Sequence, residues 1–117
     1  VNEKMAEFIN PIAMLGDQMT KFTTEIGFKG MQNPDEVGAA AVDYLRVAGH
    51  LVFGYLFARM AQVALREIAA GNTDPFYGAK LQTARFYFAK LFPETATLMR
   101  TARAGSKVLM DTDLALA

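Results

Sequence analysis

His50 is the only histidine in the chain, and it shares a helical stripe with Asp43, Arg46 and Gly54 at spacings of three, four and four. An imidazole flanked by a carboxylate and a guanidinium could act as a general base or hold a charged ligand. An ion pair on a helix surface explains the same spacing more simply. One histidine without a second nearby is a poor metal site. Glu94 follows Pro93 and is the other carboxylate that could serve as a base. A first-turn acid stabilised by the helix dipole is the simpler reading. The only serine is Ser106, in the tail, so no serine, histidine and acid set exists. There is no cysteine, which removes thiolate ligands, a cysteine nucleophile and disulfides. The nine glycines form no phosphate-cradling pattern. No residue of this chain is therefore assigned a catalytic, cofactor-binding or metal-binding role.

The elements that must position these groups are helices. Residues 34–70 read as one helix of roughly 35 residues, on the order of 50 Å long. Asn33 stands at the N-cap, Pro34 at the first position, Asp35 and Glu36 in the first turn, and Gly71 past the end. Leu51 to Ala58 is apolar on every side, which calls for burial on every side. On that reading Leu56→Asp should unfold the domain. Residues 2–28 carry Met5, Phe8, Ile12, Leu15, Met19, Phe22 and Ile26 at alternating spacings of three and four. The seam keeps phase across Pro11, so one helix kinked there is favoured, ended by Gly27 and Gly30. Asp74-Pro75 opens a third helix with a seam of Tyr77, Leu81, Ala84, Phe88 and Leu91, and with Lys80, Thr83, Tyr87 and Lys90 on the wetter side. Thr95, Leu98 and Ala102 continue that seam beyond Pro93, which predicts one kinked helix over about 75–104 closed by Gly105. A short tail with one more helical turn follows. Short connections make the helices antiparallel neighbours. The predicted fold is all-α, an up-down bundle of three long helices (about 2–28, 34–70 and 75–104), four-helix-bundle-like when packed on a partner.

Composition sets the surroundings. The 117 residues fit one domain over 1–117, and a chain beginning at Val1 is expected to be the C-terminal piece of a longer one. At 52% hydrophobic and 21% charged, it carries more apolar surface than so short a chain can hide. Net charge is zero, which leaves no basic footprint for nucleic acid. Residues 1–45 hold seven acids and three bases, residues 46–110 three acids and nine bases, so an acidic first helix should lie against basic later ones. The longest uncharged run in the central helix is twelve residues, Val47 to Ala58, against about twenty for a membrane span. Absence of cysteine suits a reducing cytoplasm. The methionines Met5 and Met19 and the ring of Phe22 belong to a core seam. Phe76 and Phe86 point off the third helix's seam and, with Arg46 and His50, are the candidate interdomain or subunit contacts.

Three stretches carry a family resemblance: GAAAVDYLRVAGHLVFGYLFARMA (Gly38 to Ala61), FYGAKLQTARFYFAKLFPET (Phe76 to Thr95) and RAGSKVLM (Arg103 to Met110). Within them Tyr44-Leu45, Ala58-Arg59-Met60, Lys80-Leu81, Ala84 to Phe88 and Leu91 to Thr95 match best. The chain resembles the extra C-terminal α-helical domain of bacterial acyl-CoA dehydrogenases, including the 3-methylmercaptopropionyl-CoA dehydrogenase type. The resemblance implies a cytoplasmic, oligomeric flavoprotein of fatty-acid metabolism as parent, using FAD to oxidise the α,β carbons of an acyl-CoA thioester. It places the flavin site and the glutamate base in a body upstream of this domain. The domain would then pack on that body or on a second subunit, serving packing, assembly or substrate-channel shape. A stand-alone helical module that binds a partner helix or an apolar ligand is the alternative. Two neighbouring helices cannot cover all of Leu51 to Ala58, which favours either external partner.

Overall fold

The computed structural model describes residues 3–111. Among them there is no strand, and the chain runs as three long antiparallel helical rods. A single 3₁₀ turn at Glu3–Met5 leads into α1 (Ala6–Gln32), and α2 follows over Asp35–Ala69. The third rod is α3 (Pro75–Phe86), a π turn (Tyr87–Leu91) and α4 (Glu94–Ala102), before a last short turn, α5 (Lys107–Met110). The expected start at residue 2 and the last six residues of the tail lie outside the described residues. The Cα atoms span 65 × 29 × 14 Å, a shallow layer with α2 touching both other rods.

Local signals formed the elements where they stand. α1 is one helix through Pro11, which lies early enough to forfeit a single intrahelical bond. It does not stop at Gly27 or Gly30, however, but runs to Gln32. Glycine weakens a helix by roughly 1 kcal/mol without breaking it. The stop comes from Asn33, extended at φ −148°, ψ 105° as a residue before proline must be. A Cβ at Gly30 would lie 2.5 Å from Val37 Cγ2, so glycine eases the fold-back onto α2. Asn33 Oδ1 accepts from the Asp35 amide at 3.1 Å, and Asp74 Oδ1 from the Phe76 amide at 3.0 Å. Gly71 and Gly105 close their helices at positive φ (+91° and +85°). Ser106, almost fully buried, donates its hydroxyl to Glu36 Oε1 at 2.7 Å and ties the tail to the start of α2.

The α1 seam packs as its spacing predicts, with Met5, Phe8, Leu15, Met19, Phe22 and Ile26 buried and Ile12 half-buried against the core. The charge asymmetry resolves as expected too: Glu7 binds Arg85 at 2.7 Å and Glu25 binds Arg103 at 3.3 Å, pinning α1 to the third rod at both ends. The third rod departs from the single kinked helix. Pro93 has no N–H to offer the Ala89 carbonyl, and the Phe92 amide reaches back five residues to the Tyr87 carbonyl at 2.9 Å. The wider turn rotates the chain on either side of it. Tyr87, expected on the wet side, is buried, Phe92 is buried behind it, and Leu91 is half exposed.

α2 also corrects the expectation of all-round burial. Ala40, Val47, Gly54, Ala58, Ala61 and Ala64 face the core, but Val52, Phe53, Tyr55 and Leu56 face outward. Leu56 is 54% exposed, so a carboxylate there is not stranded in an apolar interior and Leu56→Asp does not unfold the fold by that route. By length and composition alone α2 is apolar enough to cross a bilayer, although its longest uncharged run is short; core helices of soluble proteins pass the same test.

Candidate functional site

The hairpin of α2 and the third rod turns at Gly71-Asn72, which sets residues equidistant from that turn opposite one another. His50 on α2 thereby meets Tyr87 in the π turn and Glu94 at the start of α4. His50 Nδ1 lies 2.8 Å from Tyr87 Oη, and Nε2 lies 2.7 Å from Glu94 Oε2. Arg46, one turn earlier, donates from Nη2 to Glu94 Oε1 at 2.6 Å. Tyr87 Oη donates to the His50 carbonyl at 3.1 Å. Asp43, expected as the partner of Arg46 and His50, instead accepts from Thr101 Oγ1 at 2.9 Å. The ion pair is thus between rods, not within α2.

The electrostatics follow from this packing. The hydrogen bond from His50 holds the Glu94 carboxyl below the usual carboxylate range; desolvation opposes this and the Arg46 charge assists it. Burial, with the Glu94 charge beside it, pushes the Tyr87 phenol up to about 12. Because the folded pKa of Glu94 is depressed, its contribution to stability is present above the unfolded carboxylate range and is lost as pH falls through the folded value. Glu94→Gln should therefore flatten the acid limb of the stability–pH curve, measured by urea unfolding between pH 3 and 6. An unchanged limb would show that Glu94 is not clamped.

Chemically the cluster spends its groups on one another. Both ring nitrogens of His50 are engaged, its side chain is 14% exposed, and among the described residues no buried side-chain polar atom lacks a partner. No group of three or more His, Cys, Asp or Glu among the described residues could hold a metal. The sequence stripe through Asp43, Arg46 and His50 missed Tyr87 and Glu94; counting outward from Asn72 would have paired 50 with 94.

A contiguous apolar surface lies elsewhere on the molecule. Val42, Leu45, Val52, Phe53, Leu56 and Val63 form an outward stripe along α2. A groove of about 520 Å³ runs beside it between Ile9 and Ile12 of α1 and Tyr55 and Arg59 of α2, and a second of about 490 Å³ lies between Ile26 and Leu45. Arg59 donates to Tyr55 Oη at 3.1 Å, its guanidinium over that ring. Phe76 and Phe86, off the seam as expected, are more than half exposed, with the Lys80 ammonium 5.0 Å from the Phe76 ring. Arg46 and His50, the other two candidate contacts, are brought together by Glu94, away from the phenylalanines. Both grooves are lined mostly by apolar side chains, which offer the phosphates of FAD little to bind.

Fold and site together define a long-helix, antiparallel all-α domain whose part-buried polar groups hold its rods to each other. The chain belongs to the acetyl-CoA dehydrogenase C-terminal-like family, whose model matches residues 1–113. No curated protein matches it.

Proposed function

We propose that this chain is the C-terminal helical domain of an FAD-dependent acyl-CoA dehydrogenase-like enzyme of the 3-methylmercaptopropionyl-CoA dehydrogenase type, and that it serves assembly without catalysing. Family membership supports the parent; the outward apolar stripe of α2 carries the assembly role, since contiguous apolar surface of this extent is normally covered. The α,β-dehydrogenation of the acyl thioester, the flavin and the base belong to the body of the parent, in the cytoplasm. No step of that reaction is assigned to a residue here, because the His50 cluster is closed on itself.

The test is direct. The purified chain should show no flavin absorbance and no acyl-CoA dehydrogenase activity, and the coding sequence upstream of Val1 should encode a dehydrogenase body. Stoichiometric FAD on the isolated chain would reject the reading. An upstream sequence unrelated to a dehydrogenase would favour the stand-alone module, for which the groove beside Arg59 is the ligand site to probe.

A further inference from the structure

The outward stripe of α2 reads alike in both directions. About a midpoint between Val52 and Phe53, Val42 mirrors Val63, Leu45 mirrors Met60, which is half-buried against the core, and Gly49 mirrors Leu56. These positions recur at spacings of three and four, so they share one side of the helix. Two copies of α2 laid antiparallel across a two-fold axis at that midpoint would set Val42 of one against Val63 of the other. The same axis would set Gly49 against Leu56, twice.

That match is steric as well as apolar. A side chain at Gly49 would meet nothing within 4 Å, so the glycine is an open notch, and Leu56 projects 54% exposed. A knob facing a hole on a self-complementary patch is what an isologous interface requires. No carboxylate lies on the stripe between Val42 and Val63, and the two cations nearest it, Arg46 and Arg59, are held by Glu94 and by the Tyr55 ring. Val42, Leu45, Val52, Phe53, Leu56 and Val63 are each 40–72% exposed along a strip of roughly 32 Å, and covering them with their flanks buries on the order of 800 Å² per copy, the share of a standard-size interface.

We infer that α2 pairs antiparallel with α2 of a second copy of this chain to form a two-fold dimer. This names the partner for the assembly role above and rests on that reading only in needing the stripe covered. Sedimentation equilibrium of the 117-residue chain should give about twice its 12.8 kDa. Leu56→Glu, which loads the knob with charge, and Gly49→Phe, which fills the notch, should each give monomers with unchanged helical circular dichroism. The chain has no native cysteine, so register can be read by oxidation. Val42→Cys/Val63→Cys should cross-link into dimers, whereas Val42→Cys alone should not, its two copies lying roughly 32 Å apart. A wild-type chain that stays monomeric at hundreds of micromolar overturns the pairing. Cross-linking by Val42→Cys alone as efficient as by the double variant overturns the antiparallel register. A monomer that a separately expressed dehydrogenase body captures through Leu56 rejects the second copy while leaving the assembly role; a dimer that carries stoichiometric FAD rejects the assembly reading while keeping the pairing.

Discussion

Val47→Asp should abolish the cooperative thermal transition, while Leu56→Asp in the same helix should leave it in place. Val47 is fully buried and packs in the cluster that joins α1, α2 and α4 around Phe22, Tyr87 and Met99. An ionised carboxylate there has no partner, and even protonated it is a polar group in an apolar core, a cost of several kcal/mol. That is comparable with the whole stability of a domain this size, about 5–15 kcal/mol. Leu56 lies nine residues on, on the outward side, where the same change should cost within about 0.5 kcal/mol. Circular dichroism melts at a dilution where copies are apart would read both. Two folded variants, or two unfolded ones, would show that α2 does not divide core from surface as the structure has it.

Tyr87→Ala should destabilise by roughly 3–5 kcal/mol, as large-to-small changes of buried aromatics do. The ring is 4% exposed, stacked 4.5 Å from Phe57 at 18° and edge-on to Phe88 and Phe92. Tyr87→Phe keeps the ring and removes the hydroxyl from His50, so it should cost about 1–2 kcal/mol. The difference between the two variants separates ring packing from the clamp. The raised phenol also gives a pH signature. The unfolded chain ionises near 10 and the folded one at about 12, so the contribution of Tyr87 is complete below 10 and is lost as pH rises from 10 to about 12. Its size, discounted because the hydroxyl sits near the surface beside Glu94, is of the order of 1–2 kcal/mol. Tyr87→Phe should lack this alkaline loss. Parallel curves for wild type and Tyr87→Phe would place the phenol in solvent.

The π turn marks where local periodicity gives way. A constant 3.6-residue period carried through Phe88 and Leu91 and across Pro93 places Tyr87 outside. The proline has no amide hydrogen, and one wider turn shifts the phase enough to exchange Tyr87 and Phe92 for Leu91 in the core. The His50 site is hidden for a related reason. Its partners stand 37 and 44 residues away, and spacing along one helix reports only neighbours on that helix.

What the sequence determined by itself is the set of helices and their order. The α1 seam, Asn33-Pro34, Asp74-Pro75, Gly71 and Gly105 act within a turn of themselves, and the opposed charges of α1 and the third rod fixed which surfaces attract. The motifs from Gly38 to Ala61 and from Phe76 to Thr95 were enough to point to the family. Which side of α2 is core was decided by tertiary structure alone. A helix that is apolar on opposite sides has no polar face to mark the solvent, so only the placement of α1, α3 and α4 selects Val47, Gly54 and Ala61 for the interior. That choice leaves Val42, Leu45, Phe53 and Leu56 outside, where a partner can meet them.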